Sequence, residues 1–310
     1  MKRLLIPALC VLAACTSRSP LYDSSTPLAV RMAQSEIARN PSPMTLDGIS
    51  AGKIKWNYTT GLELLAVADA GAAYRIPEFT AYADRYFDSI VQPDGSVLTY
   101  KRSKYNLDHV CPGRMLFDLY DRTGEVRYKM VLDTLFRQLQ EQPRNPDGGF
   151  WHKEVYPHQM WLDGLYMAEP FYAEYAKKYL SGAEYEKAVD DIVNQFVVVA
   201  AHTYDPVTGL YRHAYDDSRE MFWCDKVTGL SENFWLRAMG WYAMALIDTM
   251  EVMPESMACQ KARLNAIYKE LIDAMLSYQD QATGMWYQVV NRGGIAPNYL
   301  EESGSAIFAY

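Results

Sequence analysis

An all-α fold made of consecutive helical hairpins is what this 310-residue sequence predicts. Three observations carry that expectation. Apolar residues recur at helical spacing from Leu28 onward, and no segment alternates with comparable strength as a strand would. Glycine-containing turns recur at 91–100, 144–153, 204–216 and 279–290, each separated by room for two helices and their loops. Residues 1–15 read as a signal, 16–27 as a tether and 28–310 as one helical domain.

At the N-terminus, Lys2 and Arg3 precede an apolar run from Leu4 to Ala14. That is the make-up of a secretory signal, and it falls short of the roughly 20 apolar residues of a membrane span. Leu12-Ala13-Ala14-Cys15 has the form of a bacterial lipobox. Lipidation of Cys15 would make this an exported, lipid-anchored lipoprotein on the periplasmic face of the outer membrane. An ordinary signal peptide with an incidental cysteine is the alternative. Ser, Thr and Pro after Cys15 suit a flexible tether.

The first helix is expected over "PLAVRMAQSEIARN", with Leu28, Met32 and Ile37 on its apolar face, and "GLELLAVADAGAAY" continues in the same style. In "EYEKAVDDIVNQFVVVAAHTY" the stripe is Val189, Ile192, Val193 and Phe196; in "LNAIYKELIDAMLSYQD" it is Leu264, Ile267, Leu271, Met275 and Leu276. Pro-Asp-Gly or Thr-Gly supplies the turn chemistry between helices, and a short aromatic segment follows each turn. An open solenoid has little use for Phe150, Trp151, Tyr211, Trp286 and Tyr287 in equivalent loops. A closed (α/α)6 barrel would gather them on one face, where rings can stack on sugars. Five hairpins can be counted and "EESGSAIFAY" reads as the start of a sixth, so the last helix or two of the barrel are expected to be missing from these 310 residues.

The formal net charge is −8, and no run of Lys and Arg is long enough to track a phosphate backbone, so nucleic acid is not an expected partner. Cys111, Cys224 and Cys259 are too widely spaced for a disulfide framework or a metal motif; one pair could bridge, or all three could be buried small hydrophobes. The five histidines show neither zinc-helix spacing nor a Cys/His cluster, and no phosphate loop or nucleophile elbow is present. Neither a metal nor a cofactor is expected.

Candidate chemistry lies at the loop-to-helix junctions. Asp163 is flanked by Met160, Trp161 and Leu162 on one side and Leu165, Tyr166 and Met167 on the other. Desolvating a carboxylate there costs several kcal/mol unless a partner compensates, and a carboxyl kept protonated can act as a general acid. Asp108, before Pro112-Gly113, occupies the corresponding junction one hairpin earlier. It reads either as a second active carboxylate or as a helix N-cap. Arg237, between Trp235 and Trp241, calls for an anion: a structural Asp or a substrate carboxylate. His152, Lys153 and His213 follow turn motifs and could line the same mouth.

With "KWNYTTGLELLA", "NLDHVCPGRMLF", "NPDGGFWHK", "QMWLDGLYMAEPF", "FWLRAMGWYAMALID" and "NYLEESGSAIFAY" in view, the chain from Trp56 to Tyr310 resembles glycoside hydrolase family 105, the unsaturated rhamnogalacturonyl hydrolases. The resemblance implies an (α/α)6 barrel and release of a 4,5-unsaturated uronic acid from lyase-generated pectin-type oligosaccharides. It makes Asp163 the general acid/base and Asp108 the second carboxylate. His152, Lys153, Trp161, His213, Trp235, Arg237 and Trp241 fall on substrate-pocket positions, with Arg237 and Lys153 rivals for the uronate carboxylate. Three rival readings stand beside it: an inverting glycosidase acting on a saturated sugar, a glycan-binding lipoprotein without catalysis, and a helical-barrel sugar epimerase using His152 and His213 as acid and base.

Overall fold

The structure, a computed structural model, describes residues 25–310. The lipobox and Cys15 lie outside the described residues. Among the described residues, ten α-helices follow one another: α1 (Leu28–Arg39), α2 (Tyr58–Tyr74), α3 (Pro77–Ile90), α4 (Met115–Thr123), α5 (Val126–Glu141), α6 (Leu162–Tyr179), α7 (Gly182–Thr203), α8 (Leu236–Val252), α9 (Ala258–Ser277) and α10 (Glu302–Ala309). The fold is all-α, as the periodicity predicts, in the helical-hairpin arrangement of an (α/α)6 barrel.

Two kinds of helix alternate. The odd-numbered outer helices are amphipathic. In α5 the buried side chains are Tyr128, Val131, Leu132, Leu135, Phe136 and Leu139, a single i, i+3, i+4 stripe; α3 repeats it with Phe79, Tyr82, Ala83, Tyr86, Phe87 and Ile90. Of the even-numbered inner helices, α6 and α8 are wrapped by protein. From Gly164 to Ala173 every residue of α6 is buried, and α8 is covered nearly as fully. α6 and α8 pack along each other, and α8 carries α10 on its other side.

The expected stripe in α7 is buried throughout. The one assigned to α1 is not: Leu28 and Met32 are 67% and 63% exposed, while Val30 and Ala33 are buried. Val30, Ala33 and Ile37 are spaced i, i+3, i+7, and theirs is the face that meets the core. In α9, Leu264, Leu271 and Met275 are buried while Leu276 is exposed. Cys111, Cys224 and Cys259 are all unbridged; the first two are buried and Cys259 is exposed, so only two of the three behave as buried hydrophobes.

Connections alternate with the helices. Those leaving inner helices are short, such as Gly124–Glu125, where Gly124 supplies the left-handed residue that ends α4. Those entering inner helices are long, and all lie at one end of the molecule. Four of them begin with a tight turn of the kind the sequence announces, and the loop entering α8 carries a second. At 205–210, 225–230 and 280–285 the turn is Asp-x-x-Thr-Gly: the Asp Oδ1 accepts from the Thr backbone N–H, and the following Gly has positive φ. These long loops also hold a small antiparallel sheet, β1 (Gln159–Trp161) against β2 (Ala214–Asp216). Three-residue strands are too short for their alternation to be read in sequence.

At the centre of the helix assembly lies a buried cation. Arg114 donates to Asp248 Oδ2 on α8 at 2.8 Å and to the Tyr166 hydroxyl on α6 at 2.9 Å. Removing one partner of such a pair leaves an uncompensated buried charge, worth roughly 3–5 kcal/mol. Arg114→Met should therefore lower unfolding stability by about that amount, and adding Asp248→Leu should recover most of the loss. Guanidinium titrations of the two variants test this; a double variant no more stable than the single one would contradict it.

Candidate active site

The long loops do more than connect. The first backbone N–H of each inner segment has no partner within its own helix. Three of these donors are satisfied by the next loop: Leu107 N–H by the His152 carbonyl at 3.1 Å, Leu162 N–H by the His213 carbonyl at 3.0 Å, and Leu236 N–H by the Gln288 carbonyl at 2.9 Å. The residue after each donor is Asp108, Asp163 or Arg237. The same arrangement thus presents all three of these side chains at one mouth, and in the first two the accepting histidine also meets the carboxylate with its ring.

Asp108 is clamped. His152 Nε2 lies 3.0 Å from Oδ1 and Lys153 Nζ 2.5 Å from Oδ2. Burial alone would push this carboxyl up, but the charges and hydrogen bonds of His152 and Lys153 override it and hold the group well below the usual carboxylate range. The local cap is Asn106, whose side chain accepts from Asp108 N–H, so Asp108 is not serving as an N-cap. His152 is 2% exposed. Its N–H donates to the Gln159 carbonyl, and the Trp161 ring stacks on it at 4.5 Å and 12°. It works as a buried clamp, whereas the sequence placed it on the wall as a free donor.

Asp163, the second residue of α6, has different company. His213 Nε2 is 3.2 Å from its Oδ2, yet neither atom has an aligned hydrogen-bond partner, so the contact is a close approach and not a formed bond. Among the described residues no Lys or Arg is in ion-pair contact with it. His213 itself is held between Trp161, at 5.4 Å, and the edge-on ring of Trp235, at 4.9 Å.

Arg237 finds its anion inside the protein: Glu301 Oε1 at 3.0 Å, with Ser303 Oγ at 2.9 Å and the Trp235 ring under the guanidinium. The structural alternative is therefore realised, by a Glu 64 residues away and not by an Asp. Trp241, one turn further along α8, is buried against Tyr58 and Tyr166 and supports the mouth from below. Phe150, Tyr211 and Trp286, expected to face sugars, are likewise buried. Trp286 spends its indole N–H on the Met275 carbonyl. After each tight turn the chain doubles back over the helix ends and tucks the aromatic ring into the core.

Other aromatics take up the exposed role. A cleft of about 670 Å³ beside the two carboxylates is lined by Tyr156, Trp161, His213, Phe222, Trp223 and Trp235, with Gln288 at its edge. Phe222 is 90% exposed. Tyr156, Phe222 and Trp223 escaped sequence reading, although the Asp225–Gly229 turn behind Phe222-Trp223 marks them as a loop tip. Tyr58, the first residue of α2, also went unnoticed. Burial raises its hydroxyl pKa, and Asp108 and Asp163 both add to the rise while Arg237 opposes it, which places Tyr58 among all three. Among the described residues no group of His, Cys, Asp and Glu is arranged to hold a metal ion.

The model of the family described as Glycosyl Hydrolase Family 88 matches residues 28–310, the whole of the helical domain. This chain belongs to that family. A solved glycoside hydrolase from family 105 of Clostridium acetobutylicum ATCC 824 is 39% identical, with a TM-score of 0.84 over 92% of this chain and 75% of that one. The unsaturated rhamnogalacturonyl hydrolase YesR of Bacillus subtilis is 26% identical over 260 residues, 81% of this chain and 68% of that protein. The 24.9 kDa protein in the picA locus of Rhizobium radiobacter is 39% identical over 144 residues, 46% of this chain. That match spans 58% of the Rhizobium protein, less than two thirds of its length.

The clamp on Asp108 has a pH signature. Its folded pKa lies below the unfolded value, so its contribution to stability is complete above about pH 4 and is lost as pH falls through the folded value. Asp108→Asn should be less stable than the parent at neutral pH, with the gap closing below about pH 4. Thermal unfolding across that range checks this, and a pH-independent gap would contradict the clamp.

Proposed function

We propose that this protein is an unsaturated uronyl hydrolase. It would release a 4,5-unsaturated uronic acid from the non-reducing end of lyase-generated oligosaccharides of rhamnogalacturonan or pectin type. One observation carries the reading: two carboxylates share a mouth but have opposite surroundings, Asp108 clamped in its ionised form by His152 and Lys153, Asp163 facing only His213. Two carboxyl groups with different surroundings can divide acid and base work between them. Family membership and the name carried by the Bacillus relative support the substrate class.

In this mechanism Asp163 donates its proton to C4 of the enol ether, leaving a cation shared between C5 and the ring oxygen. The resulting carboxylate takes a proton from the water that attacks C5, which returns Asp163 to its starting state. The C5 hemiketal opens to a ketone, C1 is left as a hemiacetal, and that hemiacetal expels the remaining sugar chain. No net redox change occurs and one water is consumed. Asp108 orients water or a sugar hydroxyl. The cleft formed by Tyr156, Phe222, Trp223 and Trp235 receives the departing sugar by stacking. A lipidated Cys15 would tether this chemistry to the periplasmic face of the outer membrane, where lyase products arrive.

Loss of the ultraviolet absorbance of the conjugated double bond, followed with rhamnogalacturonan lyase products, tests the assignment. Asp163→Asn should reduce the rate by about 10²-fold or more. Decay that is equally fast with this variant would remove Asp163 from the chemistry, and no decay with the parent on any lyase product would overturn the function. In the same assay Trp223→Ala should raise KM by up to about tenfold with kcat nearly unchanged, the effect of losing one stacking contact. A fall in kcat alone would place Trp223 outside the leaving-sugar site.

A further inference from the structure

The clamp on Asp108 has a second layer. His152 presents Nε2 to an ionised carboxylate, which can only accept, so Nε2 carries a proton. Its other nitrogen, Nδ1, is buried and has no protein partner. On the far side of the imidazole lies Glu169, on α6, 1% exposed, whose Oε2 is likewise buried and unpartnered. Both side chains line one small internal cavity, closed by Leu107, Phe150, Leu165 and Gln195. Its volume open to the centre of a water-sized sphere is about 10 Å³, room for a single water. Buried polar atoms in native proteins are nearly always satisfied, and two orphans facing one water-sized space call for a shared partner. Gln195 can add a third bond: its Oε1 accepts from Phe150 N–H at 2.8 Å and has a further lone pair.

We infer that Glu169 is a positioning residue which, through one internal water, holds the His152 imidazole in the orientation that keeps Asp108 clamped. Burial, reinforced by Asp191 and opposed by Arg144, raises the Glu169 carboxyl well above its ordinary value. That holds the carboxyl toward its neutral form, and the water joins it to His152 Nδ1. The neighbouring groups are accounted for. Asp191 is held by Arg144 and Gln195, and the Tyr172 hydroxyl donates to Asp191. His152 meets Asp108 and, over its ring, Trp161. Gly164 completes the design: a Cβ there would lie 3.0 Å from His152 Nδ1, so the helix backbone is bare where the imidazole edge comes closest.

A neutral carboxylic acid is mimicked by an amide and not by a thioether, so the test compares Glu169→Gln with Glu169→Met. Its kinetic arm rests on the hydrolase reading. The methionine variant should lose roughly tenfold in kcat with KM within about twofold, since small misplacements of a catalytic group are costly, while its melting temperature stays at or above that of the parent. The glutamine variant should recover most of the rate. A methionine variant with parental kcat, or a glutamine variant as slow as the methionine one, overturns the proposal. The second arm is independent of substrate: the 15N signals of the His152 imidazole should report a protonated Nε2 and a hydrogen-bonded Nδ1 in the parent, and the Nδ1 signal should move in Glu169→Met. No turnover by the parent sinks the hydrolase reading, but the imidazole signal still decides this one. Should the methionine variant fail to fold, an experimental structure of the parent decides, and the absence of a water bonded to both Nδ1 and Glu169 overturns the inference.

Discussion

The active mouth depends on a deficit at the start of every helix: its first N–H groups have no acceptor in their own turn. Here the acceptor comes from the loop of the next hairpin, so Leu107, Leu162 and Leu236 are each pinned to a neighbour's backbone. That ties adjacent hairpins together at the open end, while the Arg114–Asp248–Tyr166 contacts tie α6 and α8 within the core. It also decides which side chains meet. A residue that follows a pinned N–H lies beside the residue that pins it, which is how Asp108 comes to face His152 and Asp163 to face His213.

The two Asp–His pairs arise from one geometry and differ through a single additional cation. Lys153, directly after His152, closes on Asp108, whereas the residue after His213 is Ala214, a buried strand residue without charge. The asymmetry comes from loop sequence alone, within a scaffold that treats both positions alike.

Much of this was legible beforehand, and the reasons are specific. Helices were readable because outer helices such as α5 expose one face and bury the other. Asp108 and Asp163 stood out because an uncompensated carboxylate among apolar residues is costly, so its presence demanded a purpose. Their partners were hidden, because pairing across hairpins joins residues some 50 positions apart that no local pattern links. The 64-residue separation of Arg237 and Glu301 hid that pair in the same way. Aromatic residues misled for the opposite reason: position after a turn shows that a ring is near the loop end, but not whether it points at solvent or core, and Phe150, Tyr211 and Trp286 all turned inward. In α1, Leu28 and Met32 satisfied a helical spacing while Val30 and Ala33 satisfied another, and only packing chose between them.

Gly164 sets a dimension of the site. With no side chain there, the His152 ring rests against the backbone of α6 one residue after Asp163. The imidazole is a rigid plate with Asp108 at one edge and this helix at the other, so it acts as a spacer block between the two carboxylates. Their separation is then gauged by the width of a ring and not by the slack of a loop.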